Sequence, residues 1–370
     1  MDDSILHLGR GQPSPSLLAA DAIRAAVAAL SEDRMSAALA YGANGGPMDL
    51  RQALAEFLSE RYRTPVAARE LALGGSISLA LALVCQLFTR TGDVVVCEDP
   101  TYFHAHSIFA TAGVELRGIP IDADGLRVDL LERALAEDEL RPALVYCIPS
   151  FHNPTAVTLA PARARRLVEL ADVYDFLIVA DEPYPLLHFD PAPPPCMMSY
   201  DRGRARVLAL GSLSKLLAPG LRTGWVHAHP SLIERFVGHG SIVSGGGLNP
   251  FTGAILHRLL DRGALGDHVD HLRAVYSRRA QALGEAVRGA LPECHFRSPR
   301  GGYFLWLALA PGSDSTALFE RARAHGVLFT PGPRCAVSRD LRGFVRLSFA
   351  YYDEGDLGRG VERLAQLLRP

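Results

Sequence analysis

Four short stretches, residues 93–97, 142–148, 176–180 and 206–210, are apolar almost throughout. A strand with one face in water alternates apolar and polar residues, so runs like these belong to strands covered on both faces. Segments with helical spacing, such as 130–140 and 161–174, lie between them. The alternation predicts an α/β fold: a mainly parallel sheet sandwiched by helices. In such a sheet ligands bind beyond the carboxyl ends of the strands. Tyr102, Asn153, Asp181 and Lys215 each fall just past such an end.

A length of 370 residues exceeds what one small core needs and implies two domains, or one large domain with a satellite. We expect an arm and helix over 1–40 that join the smaller domain, a large domain over 41–255 and a small α+β domain over 256–370. Within them, helices are expected at 16–31, 48–61, 315–325 and from the 350s to 368, with a long helical stretch over 251–290. Strands are expected at 301–307, 327–330 and 344–349. The formal net charge of −2 leaves no basic field for nucleic acid or an anionic membrane. Six scattered cysteines without a CxxC spacing read as thiols of a reducing compartment, with no metal site. No apolar run is long enough to span a bilayer, and the acidic start Met1-Asp2-Asp3-Ser4 lacks a signal sequence. The expectation is a cytoplasmic protein.

Lys215 is the only lysine; all other members of the 38 Lys+Arg are arginine. Arginine replaces lysine wherever a site needs only positive charge. It cannot do so where a neutral primary amine must attack a carbonyl, because guanidinium stays protonated. A leftover surface lysine is the plain alternative, and the neighbouring residues decide against it. Lys215 sits in the loop GSLSKLLAPGLR (211–222), directly after an apolar strand.

Upstream, Gly74-Gly75-Ser76 leads into a long apolar helix. The glycines allow close backbone approach, Ser76 can cap, and a helix N-terminus offers free N–H groups to an anion. A plain glycine turn with a capping serine explains the segment equally well at this point. Asp181 ends a buried strand, where an ordinary turn aspartate is also common. Taken together, a lone amine, a buried carboxylate and an anion seat match the needs of pyridoxal 5'-phosphate (PLP), which requires a Schiff-base lysine, an acidic partner for its ring nitrogen and a phosphate anchor. No GxGxxG, P-loop or G-x-S-x-G motif competes.

The motif S-x-S-K-x-x-x-P-G-x-R-x-G-W (212–225), following N-P-T (153–155) and D-E-x-Y (181–184), resembles the fold-type I PLP enzymes of aminotransferase class I/II. Within them the chain is most similar to aminoadipate- and kynurenine-type aminotransferases and to the related domain of MocR-type regulators, over nearly its whole length. The resemblance implies that Lys215 forms the Schiff base and moves the substrate proton, while Asp181 pairs with the ring nitrogen. Tyr184 and Asn153 bond the ring oxygen, and Tyr102 stacks on the ring. Gly75, Ser76, Ile77, Ser212, Ser214 and Arg222 hold the phosphate. Tyr41 reaches across a homodimer interface to the partner's phosphate, and the glycine-rich connector 245–247 helps to complete the partner's site. Arg346 clamps the substrate α-carboxylate, and Gly11 lines the substrate pocket.

The chain departs from the family pattern at His152, where Gln is common, at Ala156, where Gly is usual, and at Ile77 in the phosphate loop. His104, His106 and His152 stand near the ring-stacking tyrosine, either lining the pocket or with no substrate role. The activity implied is transfer of an amino group between an α-amino acid and a 2-oxo acid. The same residues also serve β-elimination or decarboxylation-coupled oxidative deamination. A PLP-holding regulator is disfavoured by the absence of a basic winged-helix segment ahead of the arm. A Schiff-base aldolase has no use for Asp181 or Arg222.

Overall fold

The computed structural model describes residues 5–368; the acidic start Met1-Asp2-Asp3-Ser4 lies outside the described residues. The chain opens with a short strand, β1 (Leu6–His7), followed by helices α1 (Ala20–Ala28), α2 (Glu32–Leu39) and α3 (Met48–Tyr62). The one helix expected over 16–31 is shorter, and a second follows it. Ser31 starts that second helix: its hydroxyl accepts the Arg34 N–H at 3.3 Å, satisfying an end group that the helix itself cannot.

From 71 to 228 strands and helices alternate. They are β2 (Leu71–Leu73), α4 (Ile77–Phe88), β3 (Val94–Asp99), α5 (Phe103–Ala112), β4 (Glu115–Asp122), β5 (Gly125–Leu126), α6 (Val128–Ala136), β6 (Pro142–Cys147), α7 (Pro161–Val173), β7 (Leu177–Asp181), β8 (Val207–Ser212) and β9 (Gly224–Ala228). They build one eight-stranded sheet in the order β2-β9-β8-β7-β6-β3-β4-β5. The pairs β3 with β4, β3 with β6, β6 with β7 and β7 with β8 are parallel. Strand β9 runs antiparallel to β2 and β8, and the two-residue β5 antiparallel to β4. The sheet is therefore mostly parallel, with seven longer strands and the short β5 at one edge.

The apolar runs have the expected cause. Side chains of successive strand residues point to opposite faces. Val95, Cys97, Leu144, Val179 and Leu208 enter one core with α4 and α5, while Val96, Val145, Ile178 and Val207 enter another with α6 and α7.

The remainder comprises α8 (Pro230–Val237), α9 (Gly240–Gly245), α10 (Pro250–Asp261), α11 (Ala264–Ala290), β10 (His295–Phe296), β11 (Phe304–Ala308), α12 (Ser315–Ala322), β12 (Val327–Leu328), β13 (Thr330–Pro331), β14 (Phe344–Ser348) and α13 (Glu354–Leu368). The long helical stretch is two helices, broken where Gly263 takes φ +69°, a left-handed conformation that glycine adopts without strain. A second, antiparallel sheet has the order β10-β11-β14-β13. The strand expected at 327–330 is divided: β12 pairs with β1 of the arm, and β13 with β14.

Gly211 is the last residue but one of β8, at the start of the lysine loop. A Cβ there would lie 2.0 Å from Trp225 Cε2, so a side chain at 211 cannot coexist with the indole ring. Gly211 pairs with Trp225 in the β8–β9 ladder, and this contact holds the start of the loop that carries Lys215.

Candidate active site

A cleft of about 420 Å³ opens at the carboxyl ends of β3, β6, β7 and β8, against β13 and β14 of the second sheet. Its volume is in the range of a small-molecule site. Ser76, Ile77, Tyr102, Asn153, Asp181 and Tyr184 line it, as do Ser212, Ser214, Lys215, Arg222, Arg346 and Gly11. These predicted residues come from five strand ends of the large sheet, the arm and the second sheet, and meet in one place.

Lys215 follows β8 and projects across the cleft to the arm, where Nζ donates to the Gly11 carbonyl at 2.6 Å. Its backbone carbonyl accepts the Tyr303 hydroxyl at 3.0 Å, which steadies the loop. Burial pushes the ammonium down to about 8; Arg346 and Arg222 add to this and Asp181 opposes it. A free amine is therefore accessible near neutral pH.

Asp181 is the last residue of β7 and is buried. Burial raises its carboxyl to about 6, while a hydrogen bond from Tyr146 and the charge of Lys215 hold it down. The Tyr146 hydroxyl donates to Asp181 Oδ2 at 2.6 Å. Sequence reasoning missed Tyr146, although a phenol inside a fully buried strand must find a partner, and that requirement pointed to it.

Along the same cleft, Ser76 caps α4: its hydroxyl accepts the Leu79 N–H at 3.2 Å. The first-turn N–H groups of Ile77 and Ser78 have no intrahelical acceptor. Gly75 takes φ +72° and turns the backbone into this cap, without itself lining the wall. Ser212 and Ser214 also line the cleft; the Ser212 hydroxyl accepts the Ser214 N–H at 3.0 Å. Arg222 lines the cleft as well.

Arg346 sits on β14, opposite Thr330 and Trp306 in the ladder, and is buried. It donates to Asn153 Oδ1 at 2.7 Å, to the Gly9 carbonyl at 2.9 Å and to Thr330 Oγ1 at 3.1 Å. Its planar group lies 4.1 Å over the Phe304 ring. Its Nε is buried without a partner, and no carboxylate pairs with Arg346 among the described residues. A buried cation so arranged favours an anion entering from the cleft. Tyr184 is buried against Tyr303 and Phe304, and burial raises its hydroxyl.

The three histidines separate. His104 lines the cleft, with its ring edge-on to Tyr102 at 5.5 Å. His106 is outside the wall. His152 is wholly buried behind it: Nδ1 is 2.9 Å from Thr155 Oγ1, and Nε2 is 3.1 Å from the equally buried Glu98 Oε2. Tyr41 stays out of the cleft of its own chain and is 86% exposed.

The family model for aminotransferase class I and II matches residues 3–364. An aromatic-amino-acid aminotransferase of Thermococcus litoralis is 34% identical over 370 residues, covering 99% of this chain and 88% of the relative. The solved kynurenine aminotransferase of Pyrococcus horikoshii, in complex with PMP, is 33% identical with a TM-score of 0.92, over 100% of this chain and 93% of that one. The α-aminoadipate aminotransferase of Thermus thermophilus, complexed with N-(5'-phosphopyridoxyl)-L-leucine, is 31% identical with a TM-score of 0.87, over 99% and 92%. The chain belongs to the class I and II aminotransferases. It is a PLP-dependent transaminase of the PLP-transferase fold.

Proposed function

We propose that Lys215 carries the cofactor and moves the substrate proton in transfer of an amino group from an α-amino acid to a 2-oxo acid. One observation carries this reading: the chain's only primary amine side chain opens on the same cleft as the buried Asp181 and the acid-free Arg346. The residues fit PLP. The α4 N-terminus from Gly75 to Ile77, with Ser212, Ser214 and Arg222, suits a phosphate dianion. Among the described residues, Asp181 has a hydroxyl but no cation at hydrogen-bonding distance, which suits a protonated ring nitrogen. Tyr184 and Asn153 would bond the ring oxygen, and Tyr102 would cover one ring face.

Bound there, PLP supplies a ring that withdraws electrons from the bonds of the substrate α-carbon. Arg346 holds the α-carboxylate as a fork; Asn153, Gly9 and Thr330 brace it, so the bonds at Cα are oriented before reaction. Lys215 Nζ takes the α-proton and returns it. Gly11, whose carbonyl holds Nζ, forms the floor beside it. The test is a half-reaction on holoenzyme without a keto-acid acceptor. One-for-one release of a keto acid with conversion of the cofactor supports the reading. Continuous release of ammonia, pyruvate or carbon dioxide would replace it with elimination or decarboxylative chemistry.

The working unit is read as a homodimer. Tyr41 is exposed beside the connector 245–247, where Gly42 N–H donates to the Gly246 carbonyl at 2.8 Å. Leu39 and Val243 are 72% and 52% exposed nearby in the chain. Exposed apolar residues around a tyrosine suit a second copy of the chain. Sedimentation at assay concentration is expected to give the mass of two chains, and Tyr41→Ala to weaken cofactor retention. Full activity in a single-chain species would overturn this.

The division into 1–40, 41–255 and 256–370 is supported by the two sheets and by β1 of the arm pairing with β12; the junction falls within α10. No helix among the described residues is long and apolar enough to cross a membrane. Six buried free cysteines support a reducing, cytoplasmic setting.

A further inference from the structure

The cleft wall carries more positive charge than the reaction uses. Arg10, Lys215, Arg222, Arg334 and Arg346 line it against a single carboxylate, Asp181. In the reading above, the phosphate engages Arg222 and the substrate α-carboxylate engages Arg346. Arg334 has no such role. It stands on the turn Gly332–Cys335 after β13, exposed towards solvent at the cleft. Among the described residues no carboxylate pairs with it; its guanidinium carbon lies 4.4 Å from the centre of the Phe103 ring. The guanidinium carbon of Arg346 lies 5.3 Å from the same ring centre. One phenyl ring thus spaces two guanidinium groups along the cleft, near enough for one small molecule to touch both. His104 follows Phe103, lines the same wall with its ring 4.4 Å away, and has no hydrogen-bond partner among the described residues.

Two physical consequences follow from this arrangement. Positive groups in a cleft with low-dielectric walls reinforce one another and draw in a further anion. The Phe103 ring, which would otherwise offer its faces to an aromatic side chain, already serves two cations.

We propose that Arg334 and His104 form a distal subsite for a substrate side chain ending in a carboxylate, and that this chain prefers acidic to aromatic amino donors. Arg334 would grip the side-chain carboxylate as a fork, while His104 donates a ring N–H and Arg346 holds the α-carboxylate. The inference rests on the transaminase reading and adds the substrate class.

The test uses holoenzyme half-reactions with L-glutamate, L-2-aminoadipate, the neutral near-isostere L-glutamine, and L-phenylalanine. The acidic donors are expected to react with the highest rate over binding constant. Arg334→Ala should lower the glutamate-to-glutamine ratio by about 10-fold or more, through weaker binding of glutamate rather than a slower maximal rate. Arg334→Lys should retain part of the preference, and His104→Ala should shift it less in the same direction. A wild-type preference for phenylalanine over both acids would overturn the subsite, as would an Arg334→Ala variant that weakens every donor alike. Cofactor conversion by no donor at all would remove the transaminase reading as well, so the two failures are distinguishable.

Discussion

Lys215→Arg is expected to leave the fold intact and lower transamination by about four orders of magnitude. Arginine keeps the charge and the length, and still reaches towards the Gly11 carbonyl that Nζ now contacts at 2.6 Å. It loses the one property required, a neutral amine. Guanidinium stays protonated at any pH the protein tolerates, whereas burial brings the Lys215 ammonium down to about 8. The measurement is borohydride reduction followed by mass spectrometry of the intact chain. Wild type should gain covalent cofactor at Lys215, and the variant none. Uptake of PLP by the cofactor-free wild type should quicken as pH rises towards 8 and then level, because the attacking species is the free amine. A flat profile from pH 6 to 9 would contradict the lowered value.

Asp181→Asn should lower activity by about a thousandfold, by removing the negative charge that, in the proposed reading, keeps the ring nitrogen protonated. Its effect on the cofactor-free protein is opposite in sign. Burial raises the Asp181 carboxyl to about 6 from 3.8. A raised folded value means that the contribution to stability is complete below the unfolded value and is lost as pH rises through about 6. At pH 7 the buried carboxylate of the empty site is thus a cost, of about 3 kcal/mol for a shift of this size. Asparagine carries no charge to desolvate, and its carbonyl still accepts the Tyr146 hydroxyl. Thermal unfolding of cofactor-free Asp181→Asn should therefore match wild type near pH 4 and exceed it at pH 7. Adding PLP should raise the midpoint of wild type far more than that of the variant. Equal midpoints at pH 7 would show that Asp181 bears no such cost.

Much of the large sheet is legible along the chain because its rules are local. A strand between two helical layers must be apolar on both faces, as Val95 and Val96 illustrate by entering opposite cores. The polar residue that follows such a strand lies at the ligand edge. Lys215, Asp181, Asn153 and Tyr102 could be placed by that reasoning, and the motif around Lys215 added Ser212, Ser214 and Arg222. Strand β9 gave no such sign, since being antiparallel between β2 and β8 is a matter of sheet order rather than of its five residues. The break at Gly263 was similarly hidden inside a continuous helical pattern.

The histidines show the limit of proximity in sequence. His104 and His106 are two residues apart, yet only His104 reaches the cleft, and His152 turns away into contact with Glu98. Their roles depend on which direction each side chain leaves its element and what packs there.

Lys215, by being the sole amine side chain, and the apolar strands that aim it to one sheet edge declare the chemistry and the fold from the residues alone. The facing wall of the cleft is different. Arg346, Asn153, Gly9 and Arg334 lie hundreds of positions apart in part, and no spacing rule relates them. They line one cleft because the second sheet and the arm fold back over the carboxyl edge of the first, and close the distance between charges that a linear pattern cannot measure.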